Sequence, residues 1–245
     1  MERTGVIIVA GGSGHRAGGA RPKQFQFLGG MPVLARTINN FAAALPGAEI
    51  VVVLPEQHID FWKNLAARFD VAKHEVAAGG PERFDSVKNG LAALASDPCL
   101  IAVQDGVRPL GTTAMIRRVA EAAAKYGAAI PVVEPVDSFR ETDGEPDAAG
   151  NIPSHIVDRR CLRIVQTPQV FRADILRRAY DAGYRVEFTD DASVVEAAGH
   201  EICLAEGERE NLKLTTPEDF TVAEALITAR EEAETEEETN DAEHV

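Results

Sequence analysis

Val6-Ile7-Ile8-Val9-Ala10 is an unbroken apolar run that passes directly into Gly11-Gly12-Ser13-Gly14. A strand that is apolar at every position has no side to turn to water, so it must be covered on both faces. That requirement points to a parallel sheet between two helical layers, and the chain keeps the matching rhythm. Short runs at Ile50–Leu54, Glu75–Ala78, Leu100–Val103 and Ala128–Val133 read as further strands. Between them, apolar residues at helical spacing predict helices over Pro32–Ala43, Gln57–Phe69, Phe84–Ala95 and Thr112–Tyr126, with Pro32 as a first-turn residue. Short connections between such units require right-handed crossovers and place helices on both sheet faces.

After Val133 the rhythm stops. Residues 134–160 are rich in turn formers and charge and carry no helical period. A segment that long without regular structure inside a domain is functional or disordered. It reads as a projecting two-stranded arm, with its turn near Asp143-Gly144 or Gly150-Asn151. The alternating pattern resumes with a helix near Ala173–Ala182, a short helix from Asp191, a strand at Glu201–Ala205 and a last helix over Pro217–Arg230. The expected organisation is a single domain over residues 1–230, followed by a tail at 231–245.

The chain has 245 residues, with 25 Lys and Arg against 39 Asp and Glu, a formal charge of −14. Eight of the acidic residues fall within 231–245, which holds no Lys or Arg, so residues 1–230 carry only −6. The tail is too charged and too poor in apolar residues to pack, and is expected to be a disordered, solvated end. General affinity for nucleic acid needs a basic face, and none is evident here, so nucleic acid is set aside as a partner. Cys99, Cys161 and Cys203 are widely spaced without a CxxC pair, and are expected to be buried, reduced thiols rather than a disulfide framework or a zinc site. The N-terminal apolar run has five residues, too few for a signal-peptide core, and no run approaches the roughly 20 residues that span a bilayer. A cytoplasmic protein with no membrane partner is expected.

The most informative stretch runs from Ala10 to Phe25, directly after the first strand. Glycines there let backbone N–H groups approach an anion without a Cβ in the way. Gly12-x-Gly14-x-x-Ala17 fits the spacing of a dinucleotide fingerprint, but Gly18, Gly19 and Pro22 break the helix that motif requires. The strand ending at Leu54-Pro55 also lacks an acidic ribose partner at its tip, and the Gly-Lys-Ser/Thr ending of a Walker loop is missing. What remains is a long irregular loop carrying Arg16, Arg21 and Lys23. It is either a flexible surface loop or a polyphosphate cradle whose cations offset charge developing on a transferring phosphorus. His15 within it is a phosphate contact or a variable loop residue. His58, His74, His155 and His200 are scattered without ligand spacing, so no metal-binding histidine is assigned.

Ala-Gly-Gly-x-Gly-x-Arg at residues 10–16, followed by Pro22-Lys23-Gln24-Phe25, resembles the signature loop of the sugar-phosphate nucleotidyltransferases, and its ending resembles the cytidylyltransferase branch. Further motifs follow in order: Gly79-Gly80-Pro81-Glu82-Arg83-Phe84-Asp85-Ser86-Val87, Asp105-Gly106-Val107-Arg108-Pro109, Val157-Asp158-Arg159, Gln166-Thr167-Pro168-Gln169-Val170-Phe171, Thr189-Asp190-Asp191-Ala192-Ser193 and Glu210-Asn211-Leu212-Lys213-Leu214-Thr215. Together they are similar to the motifs of the 2-C-methyl-D-erythritol 4-phosphate cytidylyltransferase family over about residues 5–228. The chain departs from that family at Ala17, often Met; at Gln104, often His; at Gly106-Val107, often Ala-Ala; and at Ser138, often Thr, where the hydroxyl is kept.

The resemblance implies a Rossmann-like three-layer nucleotidyltransferase fold: α/β, with a mostly parallel sheet, helices on both faces and a projecting β-arm. It implies CTP and methylerythritol 4-phosphate as substrates, Mg²⁺ as cofactor, and a homodimer formed through the 134–160 arm. By motif match, Arg16 and Lys23 bind the triphosphate and stabilise the transition state beside the backbone of Ala10, Gly11, Gly12 and Gly14. Arg159 and Lys213 hold the phosphate of the incoming alcohol. Gly79, Gly80 and Ser86 take the cytosine and ribose, and Arg83, Gly106 and Thr167 complete the substrate-binding set. Arg108 and Ser138 reach a substrate across a subunit boundary. Asp105 binds the alcohol's hydroxyls or the metal, which is otherwise held by the CTP phosphates, or else it caps the turn that follows it. The nucleophile, a phosphate monoester with a second pKa of about 6, is mostly dianionic near pH 7. No general base is needed, in keeping with a sequence that shows no Ser/His/Asp arrangement. Two other functions use the same features: a cytidylyltransferase for another polyol phosphate such as ribitol 5-phosphate, and an inactive nucleotide-binding subunit, which is expected to lose the loop cations.

Overall fold

The computed structural model describes residues 2–11, 22–147 and 149–243, with the backbone alone at 234 and 236–243. The first apolar run forms β1 (Thr4–Val9), which lies inside the sheet and pairs parallel with β4 (Glu49–Leu54) on one side and β6 (Leu100–Asp105) on the other. β5 (Glu75–Ala78) adds parallel to β4 at one edge. Beyond β6 come β11 (Gln169–Arg172), β7 (Ala128–Val133) and β10 (Ile164–Val165), while β12 (Cys203–Glu206) pairs parallel with β7. β11 and β10 run antiparallel to their neighbours, so the sheet is mostly parallel, as expected.

Alternate residues of β1 enter different cores. Val6 and Ile8 pack in a cluster with Leu34 of α1 (Val33–Ala44), Trp62 of α2 (Glu56–Ala66) and Val119 of α4 (Thr113–Tyr126). Ile7 joins Val87 of α3 (Arg83–Ala93), Leu176 of α5 (Ala173–Asp181) and Val195 of α6 (Asp191–Ala197) on the other face. Each such Val or Ile contributes on the order of 1.5–3 kcal/mol by leaving water, which is why the run carries no polar residue. Gly90 lets α3 close onto the sheet, since a Cβ there would stand 2.5 Å from Ile7 Cγ2. A third cluster, with Leu28, Val33, Leu214, Ala223 and Ile227, fastens α7 (Pro217–Glu243) to the hairpin of β2 (Phe27–Leu28) and β3 (Met31–Pro32).

The arm is a hairpin in its own sheet, β8 (Phe139–Thr142) antiparallel to β9 (Ser154–Val157). Gly144 and Gly150 both take positive φ, at 91° and 84°. The tip is tied by the Asp147 side chain, which accepts from the backbone N–H of Ala149 and Asn151 at 2.8 and 2.9 Å.

Three expectations are corrected. The backbone of α7 is helical through Glu243, where composition predicts a disordered tail from 231. Glu and Ala are good helix formers and the segment holds no Gly or Pro. Cys99 and Cys161 are exposed and Cys203 half-buried, not buried as expected. Cys99 lies in a connecting segment and Cys161 ends a short 3-10 turn, Arg159–Cys161; it is their backbone N–H groups that bond, to Arg3 O at 2.8 Å and Asp158 O at 3.1 Å. Pro32 precedes α1 instead of opening its first turn, with φ −57°. Among the described residues no helix is long and apolar enough to cross a membrane.

Candidate active site

Parallel register brings the carboxyl ends of the strands level, with Val9 opposite both Val53 and Asp105. Open α/β sheets bind ligands at that end. Here the backbones are drawn close by Ala10 N–H to Val53 O at 2.9 Å, Gly106 N–H to Val9 O at 2.8 Å and Gly79 N–H to Leu54 O at 2.8 Å. Glycine permits the close approach where they converge: a Cβ on Gly106 would stand 2.8 Å from Ala10 Cβ, so an alanine there needs the two backbones to shift apart, and one on Gly80 would stand 2.3 Å from Asp85 Cβ. The resulting cleft, about 340 Å³, is lined by Ala10, Gly11, Lys23, Gly80, Arg83, Ser86, Asp105 and Lys213 among others. Eight positions singled out from sequence thus meet in one place.

Local packing explains how each side chain arrives there. Phe25 is buried against the stacked Trp62 ring, 6.0 Å between centroids, and Gln24 Nε2 donates to Ala10 O at 2.8 Å. These two anchors leave Lys23 at the cleft, where its Nζ donates to the Thr215 carbonyl. On the opposite wall, Glu82 and Asp85 form a capping box that starts α3 at Arg83, and Gly80 N–H donates to Ser86 Oγ at 3.1 Å. A helix N-terminus presents free N–H groups and positive potential to an anion.

Asp105 holds the cations together. Its Oδ2 lies 3.0 Å from Lys213 Nζ and 3.3 Å from Arg108 Nε. Burial works to raise the Asp105 pKa, but Lys213, then Arg83 and Arg108, hold it below the usual carboxylate range. The turn after it closes through the backbone, Arg108 N–H to Asp105 O at 3.1 Å, so the side chain is free to meet cations rather than cap that turn. Beneath the cleft, Asp105 N–H donates to Thr167 Oγ1 at 3.1 Å, Arg108 Nη1 to Asn211 O at 2.8 Å and Asn211 Nδ2 to Thr167 O at 2.9 Å. Gly106, Gly79, Arg108 and Thr167 therefore frame the cleft without being among the residues that line it.

The arm residues stand apart. Arg159 donates through Nη1 to the Val136 carbonyl, and Ser138 is exposed just before β8; neither lines the cleft. Gly12, Gly14 and Arg16, with His15, Ala17 and Arg21, lie outside the described residues. Sequence reasoning missed Asp191 and Tyr180. Arg83 Nη1 and Nη2 donate to Asp191 Oδ1 and Oδ2 at 3.0 and 2.6 Å, and Tyr180 Oη donates to Oδ1 at 2.6 Å. Burial opposes the charged form of Arg83, yet Asp191 raises its pKa beyond the usual arginine range; burial and then Asp191 push the Tyr180 phenol up. The Thr189–Ser193 motif carried the signal, but its partner lies 108 residues away.

An open α/β sheet with lysine and arginine lining a cleft at its carboxyl end, bounded by a strand-to-loop turn and a helix N-terminus, defines an α/β protein of the phosphate- and nucleotide-binding class. The comparisons carry this further, to one family. The family model of 2-C-methyl-D-erythritol 4-phosphate cytidylyltransferase matches residues 4–229, and the chain belongs to that family. It is 48% identical over 223 residues to the 2-C-methyl-D-erythritol 4-phosphate cytidylyltransferase of Phocaeicola vulgatus, covering 91% of this chain and 98% of the relative. The crystal structure of the enzyme of that name from Thermus thermophilus superposes with a TM-score of 0.72 at 33% identity, covering 92% and 98% of the two chains. That of 4-diphosphocytidyl-2C-methyl-D-erythritol synthase from Anaerococcus prevotii gives 0.76 at 25% identity, covering 93% and 99%. The expected fold class is thereby met.

Because folding depresses the Asp105 pKa, its carboxylate adds stability above its unfolded value of about 3.9 and loses that contribution as pH falls through the folded value. Asp105→Asn should therefore be less stable than wild type near neutrality, and the gap in denaturant unfolding should close below about pH 4. A gap independent of pH would show that Asp105 acts only through shape.

Proposed function

We propose that this protein transfers CMP from CTP to 2-C-methyl-D-erythritol 4-phosphate, releasing pyrophosphate and forming 4-CDP-2-C-methyl-D-erythritol, a step in isoprenoid precursor synthesis. The observation that carries the reading is the convergence of Lys23, Arg83 and Lys213 around Asp105 in one cleft, in a chain of this family. A phosphate oxygen of the alcohol attacks the α-phosphorus of CTP, and the bond to the bridging oxygen of pyrophosphate breaks. The nucleophile is dianionic without help from a base. The task is to bring two polyanions together and stabilise the charge that spreads over the transferring phosphorus.

Lys23 serves the triphosphate, with Arg16 from the adjoining loop. Lys213 serves the phosphate of the alcohol as a mobile point charge. Gly80 and Ser86 offer a narrow pocket, rich in backbone groups, for the pyrimidine and ribose. Magnesium is the cofactor in this reading. Among the described residues no group of three or more His, Cys, Asp or Glu side chains is placed to hold a metal alone. Mg²⁺ accepts one or two carboxylates together with substrate phosphates, and the cleft supplies Asp105, whose Oδ1 would ligate while Oδ2 stays with Lys213 and Arg108. When bound, the ion neutralises charge on the phosphates during transfer.

The arm joins two copies in this reading. Val136, Phe139, Ile152 and Ile156 are exposed apolar side chains on or beside it, and a second copy would cover them. Arg159 and Ser138, remote from their own cleft, would then complete the neighbour's. Three free cysteines fit a reducing compartment such as the cytoplasm.

A competition assay with methylerythritol 4-phosphate and ribitol 5-phosphate, following pyrophosphate release from CTP and Mg²⁺, tests the assignment; faster turnover of ribitol 5-phosphate would overturn it. Lys23→Ala is expected to lower kcat by about 100-fold or more with little change in thermal midpoint, whereas loss of folding would make Lys23 structural. Ile156→Glu should convert a dimer to monomers in analytical ultracentrifugation and reduce activity with it. A variant that remains dimeric would place the interface elsewhere.

A further inference from the structure

The motif Thr189-Asp190-Asp191-Ala192-Ser193 has no role in the reaction as proposed, yet it delivers a buried carboxylate to Arg83, a residue that lines the cleft. Asp190 fixes the start of α6: its Oδ1 accepts from Ser193 N–H at 2.9 Å, and Gln169 Nε2 donates to its Oδ2 at 2.8 Å. Gln169 Oε1 accepts from Ala192 N–H at 2.8 Å. With both flanking residues tied to β11 and to the cap, Asp191 is turned inward and its side chain is 0% exposed. There it takes two N–H groups of Arg83 and the hydroxyl of Tyr180. Tyr180 is itself buried and stacked on Phe84, the residue after Arg83, at 4.5 Å between ring centroids.

Buried ion pairs add little net stability, and apolar replacements of the same shape often do as well. The value of this one lies in what it does to Arg83. Asp191 occupies two of the five guanidinium donors and fixes the plane of the group, leaving three donors outside the pair. Arg83 lines the cleft beside Gly80, Pro81 and Ser86, and its side chain is 32% exposed. An arginine ordered before the ligand arrives loses less rotamer freedom on binding. We propose that Asp191, braced by Tyr180, is a positioning residue that holds Arg83 in the orientation from which it grips CTP. The proposal rests on the reading of this cleft as a CTP site.

Asp191→Asn keeps the shape but sets an amide N–H₂ against a guanidinium N–H. It is expected to raise KM for CTP about tenfold or more, with much smaller changes in kcat and in KM for the alcohol phosphate. Isothermal titration of CTP and Mg²⁺ without the second substrate should weaken by the same factor. Arg83→Lys, which cannot make the two-point pair, should reproduce the defect, and the double variant should be no worse than the worse single one. Tyr180→Phe should raise KM for CTP in the same direction by less. A folded Asp191→Asn with wild-type CTP affinity, or losses that multiply in the double variant, would overturn the proposal. If Asp191→Asn does not fold, Tyr180→Phe decides: unchanged CTP affinity at an unchanged thermal midpoint overturns it. Titration needs no turnover, so a wild-type protein that binds CTP but does not use methylerythritol 4-phosphate would remove the functional reading while leaving this test intact.

Discussion

One carboxylate at the end of a buried strand, Asp105, organises the charge on which the cleft depends. Lys213 and Arg108 come from different loops to the same oxygen, 3.0 and 3.3 Å away, and the field of Arg83 reaches it as well. Cations partly withdrawn from water need a counter-charge close by. Asp105 supplies it to Lys213 and Arg108 together, as Asp191 does for Arg83, while Lys23 reaches the cleft against a backbone carbonyl and, among the described residues, no carboxylate. Its own position follows from β6, which is held between β1 and β11.

The overall charge of −14 therefore says little about what the cleft attracts. Eight of the acidic residues lie on the last fifteen positions, along the distal part of α7. Charge interactions in solution are screened within about 8–10 Å, so a ligand at the strand ends meets Lys23, Arg83 and Lys213 far more strongly than the acidic residues of distal α7. A protein acidic as a whole can present a basic pocket to a nucleotide.

Much of this was legible in the residues. The apolar runs at β1, β4, β6 and β7 declared a sheet covered on both faces. The motif positions Gly11, Lys23, Ser86, Asp105 and Lys213 do come together in one cleft. β11 was not legible: Gln169–Arg172 has four residues, and its wedge between β6 and β7 is a matter of pairing, not composition. The helical continuation past residue 231 was also hidden, since net charge predicts solvation more directly than it predicts backbone conformation. Cysteine burial failed because residue type sets only an average tendency.

Hydrophobic periodicity, glycine spacing and turn chemistry are local, and each residue carries its share of that information wherever it lies; they determined the alternation of strands and helices. Tertiary structure decided which distant groups share an atom: Arg83 with Asp191 across 108 residues, Lys213 and Arg108 on Asp105, Lys23 on the Thr215 carbonyl. Such contacts depend on the register and packing of whole elements, and a pair of charges has the same sequence whether it is separated by water or buried at hydrogen-bond distance.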